Sequence, residues 1–284
     1  MEMEAAEQGR EVVMRGKILQ AVFFFSVFVF FSAVRTEAQT AAPTEATAAA
    51  ATSTQTAAEK ALPGAQEILL KFVEATGGRE VWSKFTTRWL KGIYQTEDAS
   101  MFAAIEVFSK SPNKAFTKIT FPNGLTVREV CDGKSAWVED ARGGIHEMTG
   151  AALESRIESS AFSNRADILQ KMGTARVLGS GRLGAHSVYI VEFAAEKKIT
   201  SKLYFDTETG LAVRADDTLH RSDGDYLVET YLDDYRPVDG AYFPFRLRHV
   251  EKGNVFTIRV TQIKNNPPID DTMFVKTGSV ANSR

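Results

Sequence analysis

The whole chain has a single cysteine, Cys131. No internal disulfide can form, so stability must come from packing, and Cys131 itself reads as a small buried apolar residue. Histidine is scarce as well, with four in the chain. His146, His186, His220 and His249 are scattered, with no H-E-x-x-H pair and no cysteine cluster, which excludes a zinc site encoded by local spacing. Asp223, Asp225, Asp233 and Asp234 lack the residue order of a calcium loop, and no G-x-S-x-G elbow offers a serine nucleophile. Gly179, Gly181 and Gly184 match the spacing of a dinucleotide-binding turn. The residues that follow, HSVYIVEF, read as a strand where that site needs a helix, so the segment is taken as a turn. A glycosidase-type carboxylate pair has a spacing that exists only in three dimensions, which leaves a hydrolase as the weakest of three readings. Formal net charge is −2, without the basic excess that nucleic-acid binding needs. The expectation is a protein that is not an enzyme, with no cofactor and no metal.

Long apolar runs are also missing, apart from one near the N-terminus. Arg15 and Lys17 precede Ile18–Val34, which contains FFFSVFVFF, and Thr36-Glu37-Ala38 places small residues at the −3 and −1 positions of a cut after Ala38. This is the pattern of a secretory signal peptide over residues 1–38, with Met14 as an alternative start. The run is close to the minimum for a membrane span, which makes an uncleaved anchor the competing reading. Ser26, Ser32 and the small-residue exit favour cleavage, with the mature chain beginning at Gln39 and exported to the periplasm. No cysteine stands at the cut to take a lipid anchor.

Residues 39–62 are rich in Ala and Thr without apolar period or aromatics, and read as a linker. A folded domain is expected over 63–275, followed by a tail over 276–284. Ile68, Leu69, Phe72 and Val73 give an amphipathic helix that stops at Gly77-Gly78, and Arg79–Phe85 adds a second short helix. Strands follow at Thr87–Thr96, Met101–Lys110, Lys114–Phe121, Leu125–Cys131 and Lys134–Asp140. Asn123-Gly124 and Asp132-Gly133 are hairpin turns, so successive strands should be antiparallel neighbours. Leu153, Ile157 and Ala161 then mark a helix, and Asn164 caps a second with Ile168, Leu169 and Met172 on its apolar side. A second block of strands covers Ala175–Leu178, His186–Ala194, Thr200–Phe205, Leu211–Thr218, Asp225–Tyr235, Tyr242–Val250 and Val255–Lys264. Its clearest hairpin is LYFDTETGLAV, with Gly210 closing the loop.

Period-2 alternation divides these strands into two faces. The dry one carries Ile105 and Val107; Ile119 and Phe121; Leu125 and Val127; Tyr189, Val191 and Phe193; Leu203 and Phe205; Leu211 and Val213; Val228; Phe243, Phe245 and Leu247; Phe256, Ile258 and Val260. Glu106, Lys118, Arg128, Lys202, Arg214, Glu229, Arg246 and Arg248 occupy the other, which is expected to be wet. The fold class is therefore mainly β (α+β): a large curled antiparallel sheet, or incomplete β-barrel, of about a dozen strands with short helices as a lid. A sheet that curls without closing encloses more space than a few short helices fill, so fifteen of these residues, all but Leu125, Val127, Leu211, Phe243 and Val260, are candidates for lining a ligand cavity.

The order of elements resembles the bacterial periplasmic lipoprotein-carrier (LolA/LolB-like) superfamily. DGKSAW at Asp132–Trp137, KLYFDTETGLAVR at Lys202–Arg214 and VDGAYFPFRLRHV at Val238–Val250 are similar to its outer-membrane lipoprotein-sorting-like members. The resemblance implies an incomplete barrel with a helical lid that holds acyl chains, and hence lipid acyl chains or a lipoprotein as partner. An envelope sensor or interaction module of the same fold, binding a protein partner, is the alternative. No motif matches the family's ligand contacts position by position.

Overall fold

The computed structural model of the chain describes residues 62–162, 165–196, 199–221 and 224–276. The expected signal peptide, nearly all of the linker, residues 277–284 of the tail and the capping Asn164 lie outside the described residues.

Thirteen strands form one antiparallel sheet. They are β1 (Thr87–Thr96), β2 (Phe102–Lys110), β3 (Lys114–Thr120), β4 (Thr126–Cys131), β5 (Ala136–Glu139), β6 (Ile145–Glu147), β7 (Ala175–Leu183), β8 (His186–Glu196), β9 (Ile199–Asp206), β10 (Ala212–Arg221), β11 (Gly224–Val238), β12 (Ala241–Glu251) and β13 (Asn254–Asn265). The order across the sheet is β6-β5-β4-β3-β2-β1-β13-β12-β11-β10-β9-β8-β7. Each half is a meander of sequence neighbours. The one long-range pairing, β1 against β13, joins them, and β6 and β7 remain unpaired with each other, so the curled sheet is not closed. Helices α1 (Ala65–Ala75), α2 (Gly78–Ser83) and α3 (Gly150–Ser159) and a 3-10 helix at Arg165–Thr174 complete the inner side.

Two features of β7 and β6 differ from the sequence reading. The segment taken as a Gly-rich turn, Gly179–Gly184, is mostly strand: β7 continues to Leu183, with a register shift between Val177 and Gly179 where Gly179 absorbs the irregularity. β8 follows it directly, so no helix opens there. The short β6 carries only three residues, too few for alternation to reveal.

The β9–β10 hairpin closes as its sequence requires. Asp206 Oδ1 accepts from the backbone N–H groups of Glu208 (3.0 Å) and Thr209 (2.7 Å), and Gly210 takes φ +77°, a conformation that costs a side-chain-bearing residue strain. A register shift then falls between Ala212 and Arg214. Ala212 pairs with Phe205, so alternation slips by one residue and the expected inward row of Leu211, Val213 and Ala215 becomes Ala212, Ala215 and Asp217.

The outer side of the second half is as wet as expected: Arg214 lies between the rings of Tyr204 and Tyr231 and pairs with Asp216 and Glu229. The first half departs from that expectation. Trp89, Phe108, Phe116, Val130 and Trp137 stand opposite one another in register across β1 to β5, a row of large apolar residues on the outer side. Ile269, Met273 and Phe274, from the segment after β13 and its 3-10 helix at Asp271–Phe274, pack onto that row. Lys110 and Lys114 pair with Asp271, and Lys276 pairs with Glu147 on β6. The C-terminal residues thus form a strap over the sheet.

The seam between the halves depends on Gly92. It lies at the register shift of β1 against β13, where a Cβ would stand 2.7 Å from the carbonyl oxygen of Arg259 and 3.4 Å from Ile105 Cγ2. Gly92→Ala should lower stability in a urea melt by about 1–3 kcal/mol, the range for overpacking a filled site. Gly173→Ala, with nothing within 4 Å of its Cβ, should stay within about 0.5 kcal/mol of wild type. Equal stabilities would mean that the seam absorbs a methyl group.

Candidate functional site: the inner face of the sheet

The inner side of the curled sheet carries two apolar clusters. The larger gathers Ile105, Ile119, Phe245, Leu247, Phe256 and Ile258 with Trp82 of α2, and has Val107 and Phe121 at its margin. The second gathers Val191, Phe193, Leu203 and Phe205 beneath Ile68, Leu69, Phe72 and Val73 of α1, with Tyr189 at its margin. Leu232 on β11 touches both clusters and makes the apolar surface continuous. Val228 is buried on the same side outside either cluster. Val213, displaced by the β9–β10 irregularity, belongs to neither, and Ala212 takes its place. Thirteen of the fifteen candidate residues are therefore brought together as two adjoining groups.

The helices sit on this surface because their own apolar residues have nowhere else to go. Phe72 meets Phe205 edge to face, with ring centroids 5.3 Å apart. Ile168 and Leu169 of the 3-10 helix enter the second cluster against α1. At the other end α3 is anchored by charge: Arg156 pairs with Glu129 on β4, both almost completely buried. Arg88 of β1 points inward too, its guanidinium 4.8 Å from the ring centre of Phe243 and 5.1 Å from that of Phe162, while Nε donates to Asn265 Oδ1.

A cleft of about 760 Å3 opens between the first turns of α1 and the ends of β7 to β9. Ile68, Val188, Tyr189 and Phe205 give its apolar surface, and Glu67, Lys71, Ser180 and Asp206 its polar one. Two of the fifteen candidates, Tyr189 and Phe205, line it directly. Lys71 Nζ donates to the carbonyl oxygens of Thr207 (2.6 Å) and Glu208 (3.0 Å), which fixes α1 against the β9–β10 turn. Burial alone would raise the Asp206 carboxyl, but donors from Thr209, His186 and Glu208 outweigh it and hold the group below its ordinary value.

Known solved structures share this architecture at low identity. A LolA superfamily protein from Nitrosomonas europaea superposes with a TM-score of 0.50 at 16% identity, over 76% of this chain and 99% of that one. A DUF1329 family protein from Desulfovibrio piger gives 0.51 at 14%, over 74% and 95%. A domain assigned to outer membrane lipoprotein sorting, from Vibrio parahaemolyticus, gives 0.50 at 10%, over 74% and 95%. The chain has a LolA-like fold. No family model matches the sequence, and no curated protein sequence matches it. Among the described residues, no helix of this LolA-like chain is long and apolar enough to cross a membrane, and no group of three or more His, Cys, Asp or Glu could hold a metal ion.

Buried polar residues on the inner side of the LolA-like sheet escaped the sequence reading. Glu129, Asp217 and His249 each follow an inward apolar residue at a spacing of two, after Val127, Ala215 and Leu247, and Arg88 precedes Leu90 by two. Alternation carried through the polar residues would have placed all four. His249 Nδ1 lies 3.0 Å from Thr230 Oγ1, and its ring stacks on Phe256. Burial pushes this imidazole down to about 4 from 6.5. Between those values the unfolded chain binds the additional proton, so His249 makes the fold lose stability as pH drops through that window.

Asp217 titrates in the opposite sense. Burial pushes its carboxyl up to about 6 from 3.8, although the Ser201 hydroxyl donates to it. Its contribution to stability is fully present below about 3.8 and is lost as pH rises to about 6. Asp217→Asn keeps an acceptor for Ser201 without the buried charge. It should therefore be more stable than wild type at pH 8 by about 2–3 kcal/mol, given ~1.4 kcal/mol per pKa unit, and the difference should vanish near pH 4. Denaturant melts across pH test this, and a difference that does not vary with pH would contradict it.

Proposed function

We propose that this protein is an exported, non-enzymatic carrier or binding protein for acyl-chain ligands in the periplasm, the cargo being a lipid or the acylated end of a lipoprotein. The observation that carries the reading is the continuous apolar inner surface of an unclosed LolA-like sheet, reached through a cleft floored by Ile68, Val188, Tyr189 and Phe205. The cleft's volume falls within the range of small-molecule sites. The names of two structural neighbours, a LolA superfamily protein and a lipoprotein-sorting domain, support a carrier-type role.

Affinity comes from apolar burial, about 0.8 kcal/mol per methylene removed from water, less the cost of immobilising the ligand. A chain enters between α1 and the ends of β8 and β9 and extends along the second cluster toward Leu232. There the 3-10 helix Arg165–Thr174 covers it as a lid, with α3 fixed at the far end of the sheet.

The test compares Tyr189→Ala, in the cleft, with Lys202→Ala on the outer side, by denaturant melt and by titration with a fluorescent fatty-acyl probe. Truncating an aromatic in a filled core costs about 3–5 kcal/mol. Tyr189, half-buried beside open space, has fewer contacts to lose, so its truncation should cost about 1–2 kcal/mol. Probe affinity should fall roughly tenfold, equivalent to about 1.4 kcal/mol of lost burial. Lys202→Ala should change neither property. A full core-sized stability loss with unchanged probe binding would mean that the inner side is ordinary core.

A further inference from the structure

The outer side of the first half holds a second cleft, of about 390 Å3, beside the C-terminal strap. Its floor is the middle of the aromatic row: Phe108, Phe116 and Val130. One wall is the strap, through Thr272, Met273 and Val275, and the other is the next row of the same strands, Glu106, Lys118, Arg128 and Glu139. The groove therefore crosses four strands, about 14 Å at the usual strand spacing, and runs beside the strap, a segment that the same surface already accepts.

The four wall residues sum to zero, and Lys91 beside them brings the cations to three against two carboxylates. Glu106 is engaged by Lys91 (3.6 Å) and Glu139 by Arg128 (3.1 Å). Lys118, between Glu106 and Arg128 in register, makes no ion pair and no hydrogen bond among the described residues. At the two ends of the row, the buried indole N–H groups of Trp89 and Trp137 have no acceptor among the described residues. Val275 is 55% exposed at the rim. An apolar floor and an ammonium without a carboxylate of its own describe a surface that accepts an apolar side chain accompanied by a carboxylate.

We propose that this groove docks an extended peptide of a partner protein, carrying a bulky apolar residue beside an acidic one, alongside the strap. The strap is the precedent within the molecule: its Ile269, Met273 and Phe274 fill the same row, and its acidic Asp271 pairs with Lys110 and Lys114. A partner segment of similar composition would place its apolar residue over Phe108 and Phe116 and its carboxylate on Lys118.

The experiment titrates the exported chain with acetyl-Gly-Phe-Asp-Gly-amide and with the same peptide bearing Asn or Lys in place of Asp, following calorimetry and the tryptophan indole N–H resonances. The Asp peptide should bind at least tenfold more tightly than the other two and shift indole signals. Lys118→Gln should reduce it to the level of the Asn peptide, and Lys118→Glu should abolish the preference, both variants retaining wild-type affinity for the fluorescent acyl probe. The proposal is overturned if the three peptides bind alike or not at all, or if the preference survives Lys118→Glu. It also fails if binding requires removal of residues 277–284, which would make the chain's own terminus the occupant. Concentration-dependent self-association that Lys118→Glu abolishes would assign the groove to a second copy and likewise overturn it.

Discussion

The pairing of β1 with β13 is the constraint on which the remainder of the structure depends. All other strand pairs join neighbours in sequence and could form within either half alone; this one closes a loop of well over a hundred residues. Its register sets more than connectivity. Because the side-chain period of a strand is two, a slip of one residue would turn the dry side of one half outward against the other. With Tyr94 opposite Ile258, both halves present their apolar clusters to one concavity, where Leu232 joins them. Loop-closure entropy opposes so distant a contact more than any hairpin within either half.

Once both dry sides face inward, the sheet cannot remain bare, and the four inner helices cover it by two kinds of interaction. α1, α2 and the 3-10 helix at Arg165–Thr174 dock through apolar and aromatic side chains. α3 docks through Arg156 and Glu129 in a nearly dry setting, where removing either partner would leave an unpaired buried charge. Apolar docking tolerates sliding, whereas a buried ion pair specifies one position. The arrangement therefore gives a cover with a fixed end at β4 and a looser one over β8 to β10, next to the cleft at α1. That asymmetry is what the proposed entry of a ligand beside Tyr189 and Phe205 requires.

Much of this was legible in the residues. Asn-Gly and Asp-Gly turns gave antiparallel neighbours, alternation gave the dry side, and the Asp206–Gly210 loop gave its hairpin almost to the residue. What escaped had local physical causes. The β9–β10 irregularity shifted Val213 out of the row, since a bulge conserves apolar content while moving its phase. Glu129, Asp217 and His249 stayed hidden because apolar residues alone mark the dry side, although a spacing of two places these three on it. The outer aromatic row was overlooked because its members come from five strands, one residue each, and only the register places Trp89, Phe108, Phe116, Val130 and Trp137 side by side. The strap that covers it has no periodicity to announce it.

The central claim, that the concave side of this sheet exists to hold an acyl chain, is tested most directly by native mass spectrometry. The protein would be produced with its complete N-terminal sequence in a bacterium and purified from the envelope fraction without detergent. The account predicts a soluble species whose mass begins at Gln39 and which carries a bound lipid or acylated protein released on collisional activation. A bare chain under the same conditions, which also fails to take up added fatty acid, would contradict it.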